Sequence, residues 1–177
     1  MQLESLMRKG RMRFSATLTL VCVLGFLVGV ASAEDHPQWG QDYSRNMVSA
    51  ETGLPDSFDP GAGTNIKWVA PLGTETYSTP VIAGGRVLIG TNNERPRDPR
   101  HKGDRGVLLC LDEKDGSLCW QLVVPKFIPM LYRDWPKCGI CSPAVVEGGR
   151  VYIVSNRGEV MCLDLAGQAN GNDGPFV

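Results

Sequence analysis

Beyond residue 76 the chain is a succession of short apolar runs, broken by glycine pairs and polar turns. Residues 78–83 read as an apolar strand with Pro80 near its start, where the missing N–H does least harm. Gly84-Gly85 is a hairpin signal between two apolar runs. Residues 86–91 predict a second strand, 106–112 a third, and 117–124, carrying Trp120, a fourth. Glu113-Lys114-Asp115-Gly116 is the polar turn that separates the last two. The plan is then copied in residues 142–146, the turn Gly148-Gly149, residues 150–155 and residues 158–164. Ahead of both units, residues 65–70 with Trp68 predict a lone short strand, and residues 34–64 have no sustained period.

The copying is literal in places. Arg105-Gly106-Val107-Leu108-Leu109-Cys110-Leu111-Asp112 returns as Arg157-Gly158-Glu159-Val160-Met161-Cys162-Leu163-Asp164. Trp68 and Trp120 are 52 residues apart, as are Arg105 and Arg157. Self-similarity of this kind marks an architecture whose units bury their faces only by stacking on one another. Four strands per unit, a period of about 50 residues and a tryptophan closing each unit describe β-propeller blades. The expected fold class is therefore all-β, with antiparallel four-stranded blades in an incomplete ring.

The boundaries follow. Residues 65–70 are the last strand of a preceding blade, 77–124 a whole blade and 142–177 a partial one. The counterpart of Trp120 would fall at Asn172, in a polar stretch without strand character. A ring closes with about four to eight blades, so the chain is expected to be an N-terminal fragment of a longer reading frame. Its partners would be the remaining blades or another protein. Residues 34–64 form an extended lead, with Trp39 and Tyr43 as its anchors.

Residues 1–33 change the compartment. Arg8, Lys9, Arg11 and Arg13 precede an apolar stretch over 16–30, and Ala31-Ser32-Ala33 supplies a cleavage pattern. The apolar run is short for a spanning helix, so the expectation is a cleaved signal peptide and a periplasmic or otherwise extracytoplasmic protein. Removing it leaves 14 basic and 18 acidic residues, a net charge of about −4. No basic stripe interleaved with aromatics is present, so nothing points to a nucleic-acid partner and none is expected. Membrane contact is expected only through the export signal. The chain also lacks a phosphate-cradling glycine loop, a nucleophile elbow and a metalloprotease helix motif.

The segment Cys110-Leu111-Asp112-Glu113-Lys114-Asp115-Gly116-Ser117-Leu118-Cys119-Trp120 resembles the unit ending of the pyrroloquinoline-quinone (PQQ) repeat family. The resemblance runs over residues 39–164. The lead Trp39-Gly40-Gln41-Asp42-Tyr43-Ser44-Arg45-Asn46 is similar to the N-terminal segment of quinoprotein alcohol dehydrogenases. The resemblance implies a propeller that serves either as a binding or assembly scaffold or as a quinone-dependent oxidoreductase acting on alcohols or sugars. PQQ with Ca²⁺ is implied only for the second role. In the dehydrogenases a quinone-contacting glutamate precedes the Ser-x-Pro strand of an early blade; here that position is Tyr77. Glu75, two residues earlier, points elsewhere if the strand extends that far. The adjacent cysteine pair of those enzymes is replaced by Cys138-Gly139-Ile140-Cys141. No catalytic residue carries over, and the scaffold is the leading expectation.

Two further sets of residues are candidates for chemistry. An exported chain favours a disulfide between Cys138 and Cys141, or free thiols, over a metal site. Haem attachment needs a histidine where Ser142 stands, and zinc would have to recruit His36 and His101. Cys110 and Cys162, in equivalent third strands, read as small buried hydrophobes. Residues 93–104 are an insertion in the first unit. Arg97, Asp98, Arg100 and His101 there make either a binding loop or a solvated hairpin tip held by its own ion pairs, and the second is favoured. Trp68 and Trp120 are expected to pack between blades.

Overall fold

The computed structural model describes residues 34–127 and 134–167; residues 1–33, where a signal peptide is expected, and residues 128–133 and 168–177 lie outside them. Among the described residues there are seven strands and no helix. Strands β1 (Val81–Ala83), β2 (Arg86–Asn92), β3 (Arg105–Asp112) and β4 (Leu118–Pro125) form a four-stranded antiparallel sheet in sequence order. Strands β5 (Val145–Glu147), β6 (Arg150–Val154) and β7 (Val160–Asp164) form a second, three-stranded antiparallel sheet. Each sheet opens with a two-residue hairpin loop. Gly84 and Gly85 (φ 57° and 73°) join β1 to β2, and Gly148 and Gly149 (φ 55° and 79°) join β5 to β6. Two successive positive φ values suit the right-handed twist of the flanking strands, and glycine adopts them without a Cβ penalty.

Burial follows the apolar pattern. The run Val107-Leu108-Leu109-Cys110-Leu111 is buried on both faces of the first sheet. On one face Val81, Leu88, Leu108, Cys110 and Val124 share a core with Ile140, Ala144, Val151 and Ile153 of the second sheet and its approach. On the other, Val87, Val107, Leu109 and Leu111 are covered by Trp68, Ala70 and Leu72. Strand β6 instead alternates exposed and buried positions. The second sheet therefore has one covered and one open face.

Two expectations change. Residues 65–70 are not a strand among the described residues, because no ladder partner lies beside them; Trp68 nonetheless docks as a packing residue. Tyr43 does not anchor the lead, being 84% exposed. Backbone bonds do that work: His36 exchanges two hydrogen bonds with Ile82, and the Pro37 carbonyl accepts from Val146 N–H at 2.7 Å. Asp35 adds an acceptor for Gly84 N–H at 2.9 Å. The lead thus ties β1 to β5.

The turns after β3 and β7 make the same tryptophan lock. Trp68 Nε1 donates to the Glu113 carbonyl at 2.9 Å, and Trp120 Nε1 donates to the Leu165 carbonyl at 2.9 Å. In each turn an aspartate carboxylate, Asp112 or Asp164, accepts from an amide two residues on. A positive-φ glycine, Gly116 or Gly167, then lies under the indole, where a Cβ would come within 2.5 Å or 2.6 Å of the ring. Only a bare Cα permits that approach.

Candidate functional site

The end of the sheets opposite the locks collects the irregular segments and the buried polar residues Thr91, Asn92, Asn93 and Ser155. Asn92, at the end of β2 and 2% exposed, organises it. Its amide donates to Thr74 Oγ1 at 3.0 Å and to the Lys137 carbonyl at 2.7 Å, while its Oδ1 accepts from Thr74 N–H at 2.9 Å. Buried Thr91 donates to the Glu75 carbonyl at 2.9 Å. Gly139 (φ +68°) sits where a Cβ would be 2.2 Å from the Thr91 carbonyl oxygen, and Ile140 beside it is wholly buried. Segments 73–75 and 137–140 are thereby held against one strand.

This fixation gathers Glu75, Tyr77, Cys138 and Cys141 at the surface. Because β1 begins only at Val81, Glu75 does not point away from Tyr77: the phenol donates to Glu75 Oε2 at 3.1 Å. The hydrogen bond to Glu75 and its charge, followed by the Cys138 and Cys141 sulfurs and burial, raise the ionisation of Tyr77 above its usual range. Ser78 Oγ donates to the Ser142 carbonyl at 3.2 Å, linking the two equivalent strand entrances. Both cysteines are free thiols, one half-buried and one exposed. Burial, with Cys138 next, pushes the Cys141 thiol up despite the opposing charge of Lys126. A protonated thiol is a poor nucleophile and a poor metal ligand.

Lys126 and Asp134 belong to the same region. Lys126 Nζ lies 2.6 Å from Asp134 Oδ1 and 2.7 Å from the Trp135 carbonyl, with Asp104 Oδ2 at 3.9 Å. Asp134 Oδ2 accepts from Phe127 N–H and from Asn156 Nδ2, both at 2.9 Å. Burial pushes the Asp134 carboxyl up, but the bonds from Lys126, Phe127 and Asn156 outweigh it and hold the group below its ordinary value. Two buried acceptors without a protein donor, Asp104 Oδ1 and Asn156 Oδ1, belong to residues of this network. None of Asn92, Lys126, Asp134 or Asn156 was legible as a site residue. Each is a single polar residue in a strand end or connection, without a motif around it.

The insertion is largely self-contained. Arg100 chelates Asp98 through Nε and Nη2, at 3.0 Å and 2.6 Å, and His101 Nε2 lies 3.9 Å from the same carboxylate. The bond from Arg100 holds the Asp98 carboxyl down at about 2. Asn93 clamps the His101 and Gly103 carbonyls, and Arg97 donates to the Pro71 carbonyl. Arg97, Asp98, Arg100 and His101 are thus engaged with their own loop or its support. Trp68 and Trp120 lie at the far end. Cys110 is wholly buried, its thiol pushed up to about 12 by burial, whereas its counterpart Cys162 is exposed because it lies on the open face of the second sheet.

The residues present do not fit the quinone pattern that the resemblance implies. A phenol occupies the glutamate position, the nearest carboxylate is engaged by that phenol, and two residues separate the cysteines. We derive no chemical step through a quinone. No protein-family model matches this chain, and no curated protein matches it either.

Proposed function

We propose that the chain is part of an exported β-propeller of the PQQ-repeat type and acts as a binding or assembly scaffold. One observation carries this reading: the open face of the second sheet repeats a face that the first sheet buries. Val81, Leu88, Leu108 and Cys110 are at most 1% exposed beneath the second sheet. Their counterparts are Val145, Tyr152, Val160 and Cys162; the first three are 38%, 39% and 79% exposed, and Cys162 is exposed as well. A contiguous apolar face of this origin is a docking surface. The loop end supports the same reading, because its charged groups bind one another and the thiol of Cys141 is held protonated.

The competing oxidoreductase is tested by adding PQQ and Ca²⁺ while following tryptophan fluorescence and dye reduction with alcohols and sugars. The scaffold reading expects neither uptake nor dye reduction. Stoichiometric uptake with substrate-dependent dye reduction replaces it.

A further inference from the structure

We propose that Cys110 of β3 and Cys119 of β4 form a redox site, a pair of facing thiols that closes into a cross-strand disulfide when a low-molecular-weight disulfide oxidant is supplied. This goes beyond the scaffold reading and stands without it. The pair is made by an irregularity in the ladder. Cys110 pairs with Trp120, but the next residue, Leu111, pairs with Leu118, so Cys119 is the extra residue of a β-bulge. In a bulge two residues of one strand oppose a single residue of the other. Cys119 and Trp120 therefore both oppose Cys110. Opposed residues of an antiparallel ladder have Cα atoms about 4.5–5.5 Å apart, inside the span of about 4.4–6.8 Å that a disulfide bridges.

The surroundings give the two sulfurs different parts. Cys110 is wholly buried in the core between the two sheets, whereas Cys119 is exposed. The Cys110 thiol is pushed up first by burial and then by the Cys119 sulfur, which acts on it through its charge and as a hydrogen-bond partner. Lys67 precedes Trp68 where Cys119 precedes Trp120, so the tryptophan lock does not itself require a cysteine at that place.

Closure takes two exchanges. The exposed Cys119 sulfur, as thiolate, attacks one sulfur of the oxidant, forming a mixed disulfide and releasing one thiol. The Cys110 sulfur then attacks the Cys119 sulfur, and its proton leaves with the second thiol. Two protein S–H bonds are exchanged for one S–S bond, and the oxidant is reduced to two thiols. Because the thiolate is the attacking form, the second exchange is the slow one and quickens as pH rises. The closed pair ties β3 to the residue beside Trp120, and so fixes the strand that carries the lock to the second sheet.

The test incubates the full chain, and its Cys138→Ser/Cys141→Ser variant, with oxidised glutathione in native buffer, each shown folded by circular dichroism. Remaining thiols are alkylated and the chain is cut with trypsin. Lys114 lies between the two cysteines, so their peptides separate unless they are linked. The expected product is Cys110 linked to Cys119, preceded by a glutathione adduct on Cys119 that decays faster at higher pH. Cys119→Ser should leave Cys110 unlinked, and closed to alkylation until the chain is unfolded in urea. A Cys119 adduct that persists beside a reduced Cys110 overturns the inference, and so does Cys119 linked to Cys162. Either failure leaves the scaffold reading untouched, since that rests on the open face of the second sheet.

Discussion

The two ends of the sheets solve the same problem differently. At the turn end, the chain reverses through short glycine turns, and each tryptophan bonds a carbonyl of the next turn. At the loop end the first sheet reverses through the long segment 93–104 and the second through the short turn 155–159, while one-off side-chain contacts from Asn92, Thr91, Lys126 and Asp134 fix the segments around them. The first solution uses backbone groups and an apolar ring, so it can be copied from unit to unit. The second depends on individual charges and amides, so it differs between units and is free to acquire a function.

Trp120→Ala breaks the turn end most directly. It removes a large apolar side chain and the hydrogen bond to Leu165, and should cost about 3–5 kcal/mol. Urea denaturation measures this, and coincident curves would show that the lock does not hold the sheets together. At the loop end, Lys126→Met leaves the Asp134 carboxylate, whose side chain is 3% exposed, without its cation. A loss of about 3 kcal/mol is expected, with only part of it recovered in Lys126→Met/Asp134→Leu, because a buried pair is costly to break while Phe127 N–H and the Asn156 amide lose their acceptor. An additive double variant would contradict the pairing.

The smallest effect lies in the insertion. Asp98 has a folded pKa below its unfolded value, so its contribution is complete above about pH 4 and is lost as pH falls through the folded value. An NMR titration should place the Asp98 midpoint near about 2, and Arg100→Gln should return it toward 3.8. Stability should barely move, since Arg100 is exposed and the pair is local to its own loop. A midpoint unchanged by Arg100→Gln would mean that the loop is ordered by something other than this pair.

The strands were legible wherever apolar runs met glycine pairs, as at Gly84-Gly85 and Gly148-Gly149. Their starts were less so: β1 and β5 begin three residues later than the Ser-containing entrances suggest. The entrance side chains bond elsewhere, Ser142 Oγ to the Val154 carbonyl and Ser78 Oγ to Ser142. Residues 65–70 have strand-like composition, but a strand also requires a neighbour. The meeting of Glu75 with Tyr77 depended on where β1 starts, which composition does not specify.

By itself the sequence determined the period, the hairpins and the two lock tryptophans, because these depend on local turn chemistry and on a pattern that repeats at fixed spacing. Tertiary structure alone decided which face of each sheet is covered, why Cys110 is buried while Cys162 is not, and which polar residues meet at the loop end. Those outcomes depend on contacts between segments far apart in the chain, and no local pattern encodes which segment arrives.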